Sequence, residues 1–177
     1  ENFISKPYHK MILVPMAEHI PLSNNFPSLK KLNLGQANFT HGEELKLFNI
    51  KNVNCASMIC FESTIPELNR KFVQQGAEVI IYVVNDGWYE NPPGPNQHAK
   101  QIIFRAIENR LPVIRCANTG ISLYINQRGE IEQFIELNKL GTIDVKINKN
   151  TYGKTFYTRF GNVFALILLV ITGVLLI

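Results

Sequence analysis

Cysteine is scarce: Cys55, Cys60 and Cys116 are the only three in 177 residues. An odd and sparse count excludes a disulfide scaffold. Were Cys55 and Cys60 on one strand, five residues would put them about 17 Å apart on opposite faces, too far to pair. Charge is also scarce, at 18% Asp, Glu, Lys and Arg. The net +4 is only 18 − 14, and no Lys/Arg run exceeds two residues. That excludes the basic footprint of a nucleic-acid binder. His9, His19, His41 and His98 lack ligand spacing, so no metal site is expected. There is no basic-then-apolar leader, no repeat and no low-complexity segment. Residue 1 is Glu, so the N-terminus is expected to be processed or the chain to be part of something longer. What is plentiful is apolar material, 46% of residues. That rules out a disordered chain and supplies the core of one domain.

Strand and helix patterns alternate, which places the chain in the α/β class. Strands are expected at Lys10–Val14, Lys46–Ile50, Val53–Cys60, Glu78–Val84, Val113–Ala117, Ile121–Asn126, Glu130–Phe134 and Gly141–Ile147. Glu78–Val84 is a near-continuous β-branched run, the pattern of a strand buried on both faces. Helices are expected at Ile65–Gln75, capped by Ser63 or Thr64 and stopped by Gly76, and at Gln97–Arg110. Pro21 to Gly42 reads as loop, with one helical turn near Ser28–Leu32.

The C-terminal stretch Phe160–Ile177 carries no charge, and from Val163 it reads VFALILLVITGVLLI. Eighteen helical residues reach about 27 Å, close to the ~30 Å hydrocarbon core of a bilayer. A buried core helix would show a polar face, and only Asn162 and Thr172 interrupt this one. The stretch reads as a transmembrane helix, which divides the chain into residues 1–159 and 160–177.

Cys60 closes an apolar strand just before a helix start. Such an elbow exposes a side chain and leaves backbone N–H groups free to hold an oxyanion, while a helix N-terminus favours thiolate. By position alone Cys60 is equally a small core residue. Cys55 and Cys116 lie within strands and read as core. Lys10 and Glu18 are the charged candidates to assist a thiol; read alone, they are better described as the surface ends of a strand. His98 reads as a helix-start residue with a structural hydrogen bond, Arg105, Glu108 and Arg115 as structural ion pairs, and Asn118-Thr119-Gly120 as a turn needing a glycine conformation. Trp88 suits a packing aromatic and a pocket aromatic equally.

An ordered set of short motifs adds to this. Lys10-Met-Ile-Leu-Val-Pro-Met-Ala-Glu18-His-Ile-Pro-Leu22 is followed by Ile59-Cys60-Phe61-Glu62 and Asn85-Asp86-Gly87-Trp88. Gln97-His98, Arg105-Ala-Ile-Glu108 and Arg115-Cys-Ala-Asn118-Thr-Gly-Ile-Ser122 complete the order. The set resembles the nitrilase-like (carbon–nitrogen hydrolase) superfamily from about Tyr8 onward. Its Leu-Val-Pro-x-x-Glu-x-x-Pro-Leu stretch and apolar tail resemble the membrane-bound apolipoprotein N-acyltransferases within it. The resemblance implies an α-β-β-α sandwich, here partial and lacking its first strands, followed by the C-terminal transmembrane helix. It implies Cys60 as nucleophile, Lys10 as oxyanion donor and Glu18 as a nearby carboxylate. Phe61, Glu62 and Trp88 are implied at the substrate pocket, and no cofactor is needed. The implied partners are a membrane phospholipid as acyl donor and a diacylglyceryl apolipoprotein as acceptor, with the catalytic domain on the periplasmic side of the bacterial inner membrane. Lys154 and Arg159 beside the tail would by charge alone put that side in the cytoplasm.

Phe61 and Ala17 stand where the family commonly has Tyr and Gly. The family's general-base Glu lies several dozen residues upstream of the lysine, and only nine residues precede Lys10, so the chain is expected to be a C-terminal portion. The alternatives are a hydrolase of small amides or nitriles, or a membrane-anchored nitrilase-like module without catalysis.

Overall fold

The computed structural model describes residues 6–23, 25–31, 39–89, 93–148 and 153–176. Parts of the expected 21–42 loop and the residues joining 148 to 153 therefore lie outside the described residues, as does Ile177. One mixed sheet runs in chain order through β1 (Leu47–Ile50), β2 (Val53–Ile59), β3 (Val79–Val84), β4 (Val113–Ala117), β5 (Ser122–Ile125) and β6 (Ile131–Ile135). β2, β3 and β4 are parallel, and the pairs β1/β2, β4/β5 and β5/β6 are antiparallel. The parallel steps require crossovers, supplied by α1 (Pro66–Gln74) and α2 (Pro93–Asn109).

The core lies between one sheet face and these helices. Ala56, Met58, Ile80, Tyr82, Val84, Val113, Leu123 and Ile125 come from the strands. Leu68, Phe72 and Val73 of α1 and Ala99, Ile102 and Ala106 of α2 meet them at helical spacing. Each large side chain so buried contributes about 1.5–3 kcal/mol. Of the expected four-layer sandwich, the described residues form one sheet and one helical layer.

Several boundaries differ from the sequence expectation for local reasons. α2 starts four residues earlier than Gln97, because Pro93 and Pro95 fall in the first turn, where the missing N–H groups cost nothing. Ser63 and Thr64 do not cap α1. They belong to a 3₁₀ turn, Cys60–Thr64, and Ile65 takes the cap position ahead of Pro66. Lys10–Val14 is not a strand. The amides of Met11 and Ile12 go to the Glu62 carboxylate and that of Val14 to Glu18, so these three are not available to a ladder. Gly141–Ile147 forms no ladder either, although Ile143, Val145 and Ile147 are half-buried in alternation. Cys55 is buried as expected, but Cys116 is exposed near the end of β4.

The apolar tail is divided. α3 (Phe156–Phe160) is capped by the Thr155 hydroxyl, and Gly161 then breaks the helix at φ +64°, a conformation that favours glycine. α4 (Val163–Leu175) follows with 13 residues, none buried, and is about 20 Å long. The single helix expected over 160–177 is thus two pieces, with Phe160 in the first. Among the described residues no helix is long and apolar enough to cross a membrane.

Candidate active site

Cys60 follows β2 directly and sits at φ +50°, a region that non-glycine residues enter only under constraint. The constraint comes largely from Glu62, which is fully buried. Its Oε2 accepts the Ile59 amide at 2.7 Å. Its Oε1 accepts the Tyr8 hydroxyl at 2.8 Å and the amides of Met11 and Ile12 at 2.6 and 3.1 Å. One carboxylate therefore closes the elbow and ties residues 8–12 against it. Burial and the adjacent Glu62 charge push the Tyr8 phenol well above its ordinary range.

That tie sets Lys10. Its ammonium donates to both oxygens of Glu18, at 2.8 and 2.7 Å, and Glu18 also accepts the Val14 amide at 2.8 Å. The pair keeps some access to solvent, with side chains 10% and 21% exposed. Burial pushes the Cys60 thiol up. The Lys10 ammonium pulls it down, helped by backbone groups of Asn85 and Phe61, and does not cancel the rise. The resting thiol is protonated, so chemistry at sulfur needs a proton acceptor.

Glu18, Cys60, Phe61 and Trp88 line one cavity of about 510 Å³, with Phe39, Tyr89 and His98 among the other walls. Trp88 is 76% exposed. The structure thus gathers Lys10, Glu18, Cys60, Phe61 and Trp88 at one place. Glu62, expected on the pocket, stands behind the wall with both oxygens engaged by the protein.

A second cluster behind the elbow is not one the sequence singles out. Asp86 just after β3, His98 on α2 and Arg115 on β4 are all buried. Arg115 donates to Asp86 Oδ2 at 2.5 Å, and His98 Nδ1 lies 2.9 Å from Asp86 Oδ1. His98 Nε2 lies 2.9 Å from the Ser63 hydroxyl and 3.3 Å from the Cys60 carbonyl oxygen. Burial alone would raise Asp86, but its bonds from His98 and Arg115 more than reverse that and hold it low. Gly120 is required here by space rather than by φ, since a Cβ would overlap the Asp86 carboxylate. Arg105 and Glu108 form an ion pair of 2.6 Å along α2. The three clustered residues are 12 to 29 positions apart, each inside a different short motif of the ordered set, and no single motif joins them.

The carbon-nitrogen hydrolase family pattern matches residues 1–157. The chain is 34% identical over 156 residues to an apolipoprotein N-acyltransferase of Geobacter metallireducens, covering 88% of this chain and 30% of that protein. It is 36% identical over 173 residues to the apolipoprotein N-acyltransferase of Rickettsia prowazekii, covering 96% and 34%. The chain therefore spans about a third of the length of these relatives. Among solved structures, the carbon-nitrogen hydrolase of Helicobacter pylori G27 superposes with a TM-score of 0.53 at 21% identity, over 58% of this chain and 43% of that one.

Proposed function

Because the chain belongs to the carbon-nitrogen hydrolase family, we propose that it carries the nucleophile and oxyanion lysine of an apolipoprotein N-acyltransferase. The observation that carries this reading is the 34–36% identity to proteins of that name along nearly the whole chain. The largely apolar walls suit an acyl chain.

In the proposed reaction the Cys60 sulfur attacks the ester carbonyl of a membrane phospholipid. Its proton passes to the general-base Glu that the family resemblance puts several dozen residues upstream of Lys10. Lys10 and the Phe61 amide hold the oxyanion of the tetrahedral intermediate. The ester C–O bond breaks, the lysophospholipid leaves as an alcohol, and a thioester remains. The free amine of a diacylglyceryl-cysteine lipoprotein then attacks the thioester carbonyl and gives a proton to the same base; the C–S bond breaks, thiolate, a good leaving group, departs, and the amide is released. Glu18 orients Lys10, while Phe61 and Trp88 flank the acyl chain.

We place the enzyme at the bacterial inner membrane with this domain on the periplasmic side. The catalytic part runs through α3, and the membrane-embedded segment begins after Gly161. α4 offers only apolar side chains apart from Thr172, and its ~20 Å covers about two-thirds of a hydrocarbon core.

The test is acyl-enzyme formation by the full-length protein incubated with phospholipid. One acyl mass, removable by hydroxylamine, is expected on the peptide containing Cys60. The same mass on a Cys55 or Cys116 peptide, or on none, would overturn the reading.

A further inference from the structure

The acyl-transfer chemistry makes no use of the buried assembly behind Cys60, yet that assembly ends on the nucleophile's own backbone. Its proton inventory is set from its far end. Arg115 is a permanent cation and bonds Asp86 Oδ2 at 2.5 Å, so Asp86 is an ionised carboxylate. An ionised carboxylate only accepts, so the His98 nitrogen facing it at 2.9 Å, Nδ1, carries a proton. The other nitrogen is thereby aimed at the elbow, where it meets Ser63 Oγ at 2.9 Å and the Cys60 carbonyl at 3.3 Å.

Asp86 cannot move away from this arrangement. Its amide donates to the Asn118 side chain at 3.1 Å, and Gly120 is packed against its carboxylate. The Arg115 guanidinium also donates to the Ile121 carbonyl. The line from β4 to the elbow is therefore continuous: Arg115, Asp86, His98, then Ser63 and Cys60. All of these but Cys60 are buried.

Cys60 has reason to need such a brace. At φ +50° it is held in a conformation from which an unbraced residue relaxes to negative φ. That relaxation would rotate Sγ away from the Lys10 charge and turn the Phe61 amide from its place beside the sulfur. Glu62 fixes the elbow through the amide before Cys60, and His98 touches the carbonyl of Cys60 itself. The two hold opposite sides of one residue.

We propose that His98 is the positioning residue of the nucleophile. Oriented by Asp86 and Arg115 through Nδ1, its Nε2 holds the Ser63 hydroxyl beside the Cys60 carbonyl, fixing the turn so that the thiol and the following amide face the cavity. This rests on the reading of Cys60 as the nucleophile.

The experiment uses the full-length protein with two readouts: alkylation of Cys60 by iodoacetamide, followed by mass, and steady-state acyl transfer. In His98→Asn the amide keeps a partner for Asp86 but cannot reach the elbow. We expect kcat to fall about 100-fold with KM little changed, the size of a misplaced reacting group. Cys60 alkylation should slow about tenfold as sulfur leaves the Lys10 field. His98→Gln, whose longer side chain reaches the Nε2 position, should recover most of both losses. Unchanged alkylation in His98→Asn, a KM change with kcat intact, or a His98→Gln no better than His98→Asn would overturn the proposal. Should His98→Asn not fold, Ser63→Ala decides. It removes one hydrogen bond to the imidazole, and an unchanged alkylation rate would again overturn the brace. Wild-type Cys60 that alkylates but never takes an acyl chain would instead defeat the acyl-transfer reading and leave this one standing.

Discussion

Two ion pairs flank Cys60, one in front and one behind, and they differ in what surrounds them. Lys10 and Glu18 meet at the cavity with side chains 10% and 21% exposed. Arg115 and Asp86 meet with no exposure at all. In the front pair water keeps the attraction modest, so the ammonium remains free to turn toward a new negative charge. In the rear pair desolvation makes any rearrangement costly, and each charge is tolerated only because its partner is in place. A cation that must respond to a developing oxyanion belongs in the first setting, and one that must hold a shape belongs in the second.

The sharpest way to break this contrast is to remove each cation. Arg115→Met leaves Asp86 as a buried charge without its guanidinium partner, and should cost about 3–5 kcal/mol in denaturant unfolding. Lys10→Ala should leave stability almost unchanged and slow acyl-enzyme formation by roughly 100- to 1,000-fold, the cost of one oxyanion donor. A Lys10 variant losing as much stability as the Arg115 variant would erase the distinction.

Exchanging carboxylates for amides sharpens it further. Glu62→Gln turns a donor toward backbone N–H groups that already need an acceptor, and should cost about 1–3 kcal/mol. Glu18→Gln should lose more in rate than in stability. Acid titration gives the next effect. Asp86 is held low in the folded state, so its stabilising contribution is complete above the ordinary Asp value of about 3.9 and is lost as pH falls through the lowered value. Unfolding free energy measured against pH should therefore fall less steeply on the acid side in Asp86→Asn. The smallest effect belongs to Trp88, which is 76% exposed. Trp88→Ala should move stability by no more than about 0.5 kcal/mol while weakening use of the acyl donor.

The difference between front and rear also governs what could be read in advance. Lys10, Glu18 and Cys60 lie in short runs whose order along the chain carries the family pattern, and they do meet. Glu62 was legible as important and misplaced in space, since a carboxylate two residues past an elbow serves a pocket or a backbone equally well until the turn is seen. His98 and Arg115 each have an ordinary structural reading, and Asp86 stands only within the Asn85-to-Trp88 motif. Their joint meaning needed three elements, β3, α2 and β4, brought to one side of Cys60.

The sequence by itself determined the α/β alternation, the positions of the six paired strands to within a few residues, the Cys60 elbow and the apolar tail. Hydrophobic period, turn residues and β-branched runs act locally, so they survive without a tertiary context. Only the tertiary structure decided that Lys10–Val14 is no strand, that the tail breaks at Gly161, and that His98 lies beside the Cys60 carbonyl. Each of these depends on where a distant group goes. The amides of residues 11, 12 and 14 find carboxylates 50 and 51 residues away or on the next turn of chain. α3 is held by Thr158, whose carbonyl accepts from Arg70 and Gln74. A backbone amide must be satisfied by some partner, and which partner is near is a property of the fold.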